Sequence, residues 1–438
     1  MPSLAAVSRR IAATLAVVTS MSACAPAASS PVITHPTVHI LAPWGAVEQA
    51  AFRQMVRPWE QQTGNTIVYE GTRQLQDALN ARIQRGTPPD LAILPNPSVL
   101  DAYAAAGSLV PLDSVLDVSA LRRDYGSALL QLASARGQLY GVYLDAAVKG
   151  LIWYDPAAVQ AGGLSAAFTP LPETWPALMT LSDQIEQAGT TPWCIGLEGG
   201  VASGWPGADW IQDFLLRTAG PGAYTDWYQG RLKWTSPQVR AAWSLWGGIV
   251  ADPGMVYGGS SQMLRTNFTA GGDPLFTNPP GCYLHHQGSF ITTFFQQARP
   301  QAQPGVDFAL FGFPSIDSRY DGAEVIDGDV LGMFQDSSQA RDLLAYLMTP
   351  AAQAIWVKRG GVLSANRTVP LGDYAAGPAR DEARLLTGAR ILVADASSDM
   401  PQAMSSAFQK GVLDYVAGRQ TLDAILRQLD AVQAKVYR

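Results

Sequence analysis

Aromatic and acidic side chains occur together in the glycine-rich segment 194–214, which reads CIGLEGGVASGWPGADWIQDF. Trp205, Asp209 and Trp210 follow a run of glycines at the predicted start of a helix. Indole rings pack against the C–H faces of a sugar, carboxylates accept hydrogen bonds from its hydroxyls, and glycines let the backbone approach closely. The segment therefore suits a polyhydroxylated ligand, and the alternative is a tryptophan cluster in a large hydrophobic core.

Paired carboxylates are the one catalytic possibility in the sequence. Asp209 and Asp213 stand four residues apart, and Asp327 and Asp329 flank a glycine. A glycoside hydrolase needs two carboxyl groups roughly 5–10 Å apart across the scissile bond. A sugar receptor has the same pattern without chemistry, and no GxSxG, HExxH or phosphate-loop motif is present. We therefore predict no enzyme activity and no catalytic residue.

Metal and cofactor sites are not indicated. The chain has four histidines, and His285 and His286 are adjacent, so in a strand their side chains point to opposite faces. No CxxC or Cys/His spacing typical of zinc occurs. We predict neither a metal nor a cofactor.

The composition favours a neutral polar ligand. Only 15% of the 438 residues are charged, the net charge is −6, and 12 tryptophans and 15 tyrosines are present. No run of lysine and arginine offers the positive surface that nucleic acid requires. Nucleic acid is therefore excluded as a partner.

The N-terminus has the features of an export signal. Arg9 and Arg10 precede an apolar run at 11–18 that is too short to span a bilayer, and Met-Ser-Ala-Cys follows. This tetrapeptide resembles a bacterial lipobox ending at Cys24, although Met21 stands where leucine is usual. We predict a signal peptide at 1–23, a lipid on Cys24 and a tether at 24–36. The protein would then lie on the outer face of the cell membrane, held by lipid alone.

The chain has three cysteines, and with Cys24 lipidated the other two, Cys194 and Cys282, remain to pair in an exported protein. They are predicted to form a disulfide closing a loop of about 90 residues. The alternative is two buried thiols.

Strands and helices alternate after the tether. Apolar strands are predicted at 38–41, 66–69 and 91–94, with helices between them. Such alternation builds a mostly parallel sheet with ligands at the carboxyl ends of its strands. The loops at these ends contain Trp44, Arg73 and Asn96, and they should open on one rim.

Several blocks, in this order, carry a family resemblance: TGNTIVYEGTRQLQDALNARIQRGTPPDLAILPNP, LYGVYLDAAVKGLIWYDPAAVQAGG, GWPGADWIQDFLLRTAGPGAYTDWYQG and VLGMFQDSSQARDLLAYLMTPAAQAIWVKRGGVLSANRTV. They resemble extracellular solute-binding proteins of the maltose-type group, which serve bacterial ABC sugar importers. The GWPxxDWIxD block is most similar to the α-glucoside-binding branch. The resemblance spans nearly the whole mature chain.

The resemblance implies a two-lobe α/β fold of the periplasmic-binding-protein type. Each lobe is a mostly parallel sheet flanked by helices, with several hinge crossings between them. The first lobe is predicted at 37–145 plus 325–365, and the second at 146–324 plus 366–438. Sugar bound between the lobes contacts both and so favours closure.

The resemblance also gives the expected ligand contacts. Trp44 and Arg73, with Asn96, form one wall, and the alternatives are that Trp44 packs at the hinge and that Arg73 pairs with Glu70. The facing wall and the hinge contribute the remaining predicted contacts, Trp205, Asp209, Trp210, Gln287, Phe290, Asp327 and Asp329. Since residues 209 and 210 of a helix face about 100° apart, one of the two would serve the core.

The expected partners are a carbohydrate and the permease subunits of an ABC importer, with the receptor itself a monomer. A glycerophosphodiester or another polar metabolite is an alternative ligand on the same fold. A secreted glycosidase is the alternative of another class.

Overall fold

The computed structural model describes residues 36–437, apart from the side chains of residues 46 and 47. The predicted signal peptide and Cys24 lie outside the described residues, as does the tether except for Pro36. Within 36–437 no helix is both long enough and apolar enough to cross a bilayer.

The described helices are α1 (Ala46–Thr63), α2 (Leu75–Gln84), α3 (Pro97–Ala105), α4 (Val118–Tyr125), α5 (Ser127–Leu132), α6 (Pro156–Ala161), α7 (Trp175–Gln187), α8 (Trp205–Tyr228), α9 (Pro237–Val250), α10 (Gly259–Arg265), α11 (Ile291–Ala298), α12 (Ser338–Leu347), α13 (Pro350–Arg359), α14 (Pro378–Gly388), α15 (Ala396–Asp399), α16 (Gln402–Val416) and α17 (Leu422–Val436). The described strands are β1 (Thr37–Ala42), β2 (Thr66–Gly71), β3 (Leu91–Leu94), β4 (Ser134–Ala135), β5 (Gln138–Leu139), β6 (Gly141–Tyr143), β7 (Asp145–Val148), β8 (Leu151–Tyr154), β9 (Thr191–Cys194), β10 (Cys282–His286), β11 (Ala309–Gly312), β12 (Ala323–Asp327), β13 (Val330–Met333), β14 (Leu363–Ser364) and β15 (Ile391–Ala394).

Three sheets organise the chain. The first has the order β2-β1-β3-β13-β6, the second β11-β8-β10-β9 and the third β14-β7-β12-β15. The predicted strand–helix–strand units at the start of the chain are present, with β1 parallel to both β2 and β3. In each sheet one strand is antiparallel to all the others. It is β13 in the first sheet, β8 in the second and β7 in the third.

Local sequence explains the first units. All four residues of β3 are apolar and buried, as expected for a strand covered on both faces. Gly64 ends α1 in the left-handed region at φ 72°, where its N–H donates to the Glu60 carbonyl. The chain can therefore turn directly from α1 into β2.

Residues 36–437 form two hydrophobic cores, and the second sheet contributes to both, with Trp153 in one and Ile152 in the other. One contains the buried side chains of β1 and β3 and those of α12 and α13. The other contains the tryptophan-rich faces of α8 and α9, packed with residues of α16 and α17.

The third sheet joins the other two. The chain runs from β6 in the first sheet through β7 in the third to β8 in the second. It returns from β11 in the second sheet through β12 in the third to β13 in the first. Polar residues at these crossings are thus placed between the two main sheets.

Candidate ligand-binding site

Two carboxylates meet where the chain crosses between sheets. Asp145 begins β7, and its Oδ1 accepts a hydrogen bond from the Asp329 backbone N–H at 2.8 Å. The Trp44 indole N–H donates to Asp329 Oδ2 at 2.6 Å. Burial raises the pKa of Asp329 to about 6. Burial and the charge of Asp329 raise the pKa of Asp145 well above its usual range. Both shifts favour the protonated carboxyl, so Asp145 and Asp329 are less acidic than exposed aspartates.

Lys149 joins a second group of carboxylates. Its ammonium lies 3.1 Å from Asp209 Oδ2 and 3.2 Å from Asp395 Oδ2, and all three side chains are buried. Burial raises the pKa of Asp209, and Lys149 opposes this rise. Burial would also raise the pKa of Asp395, but Lys149 and hydrogen bonds from Ser397 and Gln212 lower it. Asp395 therefore stays ionised and neutralises the charge of Lys149.

An aromatic surface covers this ion cluster. The Trp205 ring packs edge-on against Phe268 at 5.1 Å between centroids and lies 5.8 Å from Phe290. Trp205 is only half-buried, so part of the indole is open to solvent. Gly199 lies against the indole nitrogen, which a Cβ at that position would approach to 3.1 Å. The glycine-rich turn lets the backbone pack closely against this ring.

A narrow crevice, with no enclosed space for a water molecule, lies beside these groups. Its lining residues include Asn96, Tyr143, Asp327 and Asp399, and none of them is basic. Asp399 Oδ1 accepts the Ser98 backbone N–H at 3.1 Å, and the Asn96 amide donates to the Ser398 carbonyl at 3.3 Å. Burial raises the pKa of Asp399 to about 7, and the charges of Asp395 and Asp327 add to the rise. The surroundings of this crevice are acidic and repel anions.

Several predicted residues are brought together at this place. Trp205 and Phe290 flank Lys149 and Asp209, while Asp327 and Asn96 line the crevice. Asp329, which accepts the hydrogen bond of the Trp44 indole N–H, lies close to them. Gln287 is buried next to them, where its carbonyl accepts the Trp153 indole N–H at 2.8 Å and its side chain accepts the Gly288 N–H.

Two members of the predicted first wall are placed differently from the other predicted contacts. Trp44 is 5% exposed and packs edge-on against Trp356, so only its bonded nitrogen edge reaches the acidic group. Arg73 has an exposed side chain 3.4 Å from Glu48, whereas the alternative partner Glu70 pairs with Arg82. Trp44 is thus packed in the first hydrophobic core, with Asp329 on its indole nitrogen.

Trp210 lies in the hydrophobic core. It is 1% exposed and is surrounded by the rings of Trp193, Trp246 and His286. Its helical neighbour Asp209 contacts Lys149. The helix geometry thus assigns Trp210 to packing and Asp209 to the ion cluster.

Several polar residues of the site were missed by the sequence reasoning. They are Tyr143, Asp145, Lys149, Asp395 and Asp399. The first four lie at or just beyond the ends of β6, β7 and β15, and Asp399 ends α15. The first three lie close to the lobe boundary predicted between residues 145 and 146. Nothing near Asp395 in sequence marks it as a partner of Lys149.

The cysteines form the predicted disulfide. Cys194 and Cys282 are bonded, and they join the neighbouring parallel strands β9 and β10. His285 Nδ1 lies 2.9 Å from the Cys194 carbonyl, and His286 Nε2 lies 2.9 Å from Asp213. Among residues 36–437 no group of three or more potential ligands is placed to hold a metal ion.

Glu382 on α14 stabilises the crossing strand. It is buried, and its Oε1 accepts the Val148 backbone N–H at 3.2 Å. Burial raises its pKa from 4.5 to about 7, although hydrogen bonds from Ser289 and Val148 oppose the rise. The folded state therefore binds more protons than the unfolded state between pH 4.5 and 7, so this group's contribution to stability falls as pH rises through that window.

Glu382→Gln removes this titration and keeps the acceptor oxygen. Relative to wild type, the variant is expected to gain roughly 3 kcal/mol of unfolding free energy between pH 4.5 and pH 8. Denaturant unfolding at the two pH values measures this difference, and Glu173→Gln, on the exposed surface, controls for loss of one charge. An equal gain in both variants, or none in Glu382→Gln, contradicts the assignment.

The chain matches a known family model over most of its length. Residues 54–383 match the model described as bacterial extracellular solute-binding protein. The chain belongs to this family. As a member of an extracellular solute-binding family, it acts outside the cytoplasm, and the family consists of receptors and not enzymes.

Two curated relatives match along nearly their whole length. The osmoprotective compounds-binding protein GgtB of Synechocystis is 35% identical over 384 residues, covering 87% of this chain and 89% of that protein. The alpha-glucosides-binding periplasmic protein AglE of Rhizobium meliloti is 31% identical over 400 residues, covering 88% and 85%.

Solved structures show the same fold. The bacterial solute receptor AcbH, described with a preference for β-D-galactopyranose, has a TM-score of 0.78 at 18% identity, covering 92% of this chain and 100% of AcbH. RafE from Streptococcus pneumoniae has a TM-score of 0.73 at 16% identity, covering 92% and 98%. The two-lobe α/β fold of solute-binding proteins is therefore confirmed for this chain.

Proposed function

We propose that this family member is the receptor of an ABC importer that captures an oligosaccharide and delivers it to the permease. A disaccharide such as an α-glucoside is the proposed ligand. The observation that carries the proposal is the half-buried face of Trp205 with Phe290, beside the acidic groups of the crossing strands. Rings and carboxylate acceptors together suit a neutral sugar. The similarity to AglE, an alpha-glucosides-binding periplasmic protein, supports the same ligand class.

The ligand would lie between two lobes with the predicted boundaries, 37–145 plus 325–365 and 146–324 plus 366–438. The two crossings through the third sheet, at β7 and β12, support this division. Asn96 and Ser98 at the start of α3 contact Ser398 and Asp399 of α15, which pack on different cores. Closure of the two lobes on a bound sugar would add further contacts between α3 and α15.

The acidic surroundings argue against a glycerophosphodiester. The crevice has no basic lining residue, and Lys149 is already engaged by two carboxylates. Arg73, the remaining cation of the predicted site, is 72% exposed and pairs with Glu48. A phosphate would meet repulsion where a sugar hydroxyl finds acceptors.

The receptor is further proposed to be a monomer anchored by lipid on Cys24. The lipobox-like Met-Ser-Ala-Cys sequence supports this. The mass of the mature N-terminus after expression in a bacterial host tests it, since an unmodified N-terminus would exclude the anchor.

A thermal-shift panel tests the function. Maltose, trehalose, sucrose and glycerophosphocholine are added separately to purified protein, and the sugars are then analysed by chromatography. At 100 times its Kd a ligand adds about 2.7 kcal/mol to the unfolding free energy. Stabilisation by an intact disaccharide supports the proposal. Release of monosaccharide, or stabilisation by the phosphodiester alone, would refute it.

Trp205→Ala is expected to weaken binding of the stabilising disaccharide by at least ~1 kcal/mol, about fivefold in Kd, because the ring face is lost. Trp205→Phe, which keeps an aromatic ring, should lose less. Isothermal titration calorimetry measures both. An unchanged Kd with a lowered melting temperature would place Trp205 in the core instead.

A further inference from the structure

Lys149 lies at the point where the chain leaves the third sheet for the second. It follows β7 directly, and its backbone N–H donates to the Val325 carbonyl of β12 at 2.9 Å. Its side chain is 9% exposed. The crossing strands thus fix the backbone from which this buried side chain extends.

Three elements supply negative charge to Lys149. Asp209 comes from α8, Asp395 precedes α15, and Asp327 ends β12. Burial alone would lower the pKa of Lys149, but Asp209 and Asp395 raise it above its ordinary value, so the ammonium stays charged. A buried cation is retained only when its charge is compensated in this way.

The same ammonium lies over two aromatic rings. The distance from Nζ to the ring centroid is 5.0 Å for Trp205 and 5.9 Å for Phe290. Cation–π attraction at these distances favours one orientation of each ring. One side chain thus contacts both the acidic and the aromatic parts of the proposed binding surface.

We propose that Lys149 is a positioning residue for ligand binding, which holds the rings of Trp205 and Phe290 and the carboxylates of Asp209 and Asp395 in their binding arrangement. The inference rests on the proposed function. Because its charge is engaged by carboxylates, Lys149 does not attract an anionic ligand, and the site selects a neutral sugar over a sugar phosphate.

The test compares Lys149→Met with Lys149→Arg, using trehalose and maltose as probes. Kd is measured by calorimetry at a temperature where circular dichroism shows each variant folded. Lys149→Met is expected to bind at least about tenfold more weakly. Lys149→Arg keeps the charge and the ring contact, so it should restore most of the affinity.

Lys410→Met is the matched control. Lys410 also pairs with a buried aspartate, Asp414, but its own side chain is 63% exposed and its partner lies on α16. It should leave Kd unchanged. A Lys149→Met variant with wild-type Kd and a lower melting temperature would reduce Lys149 to a structural role and overturn the inference.

A second variant keeps the inference testable when Lys149→Met does not fold. Lys149→Met combined with Asp209→Asn removes one uncompensated carboxylate, so it should recover melting temperature but not affinity. Full recovery of affinity in this double variant contradicts the inference. A wild-type protein that binds none of the sugars overturns the proposed function and this inference together, whereas equal binding by wild type and Lys149→Met overturns the inference alone.

Discussion

Arg217→Met is expected to lower the unfolding free energy by about 3–5 kcal/mol at pH 8, because it leaves two buried carboxylates without a counter-charge. Arg217 Nη1 donates to Asp213 at 2.6 Å and Nη2 donates to Glu324 at 2.9 Å. All three side chains are buried. Denaturant unfolding monitored by tryptophan fluorescence measures the loss.

The loss should shrink at acid pH. Burial raises the pKa of Glu324 from 4.5 to about 7 even with Arg217 opposing the rise. Without the guanidinium this pKa rises further, so Glu324 is protonated at pH 5 and carries no uncompensated charge. A deficit that is the same at pH 5 and pH 8 would show that lost packing, and not charge, destabilises the variant.

Arg231→Met provides the matched control. Arg231 pairs with Asp226 at 2.7 Å, but both side chains are more than half exposed, at 57% and 51%. Exposed pairs of this kind contribute about 1 kcal/mol or less. Equal losses for Arg217→Met and Arg231→Met would contradict the assignment of Arg217 to a buried network.

This network also explains how the site is supported. A Cβ at Gly150 would lie 2.6 Å from the Asp213 carboxylate, so the chain next to Lys149 packs directly on it. His286 Nε2 lies 2.9 Å from the other oxygen of Asp213. Asp213 pairs with Arg217 at the i,i+4 spacing on α8, and its contacts connect α8 to the crossing strand and to β10.

Features set by local sequence could be predicted. The alternation of β1, β2 and β3 with helices follows from apolar runs and from turn residues such as Gly64. The disulfide followed from an even cysteine set in an exported chain. The 100° between successive helical residues predicted that Asp209 and Trp210 would separate, as they do.

The electrostatics of the site could not be predicted in the same way. Lys149 meets Asp395 only because β7 and β15 lie in one sheet with β12 between them. Trp44 was expected as a ring face for ligand, but packing against Trp356 leaves it only a nitrogen edge for Asp329. Such contacts depend on strand order across the third sheet, and no local pattern encodes that order.

Replacing Cys194 and Cys282 by alanine is expected to lower the unfolding free energy by about 4 kcal/mol. The half-cystines are 88 residues apart, and releasing a loop of that length restores a large chain entropy to the unfolded state. Because both sulfurs lie on strands that are already paired and buried, the native arrangement of β9 and β10 should persist. Affinity for the bound disaccharide, measured well below the melting temperature, should therefore stay close to wild type while denaturant unfolding shows the loss. A loss below about 1 kcal/mol contradicts the chain-entropy account, and a large drop in affinity would show that the disulfide holds the Gln287–Phe290 loop in place for ligand.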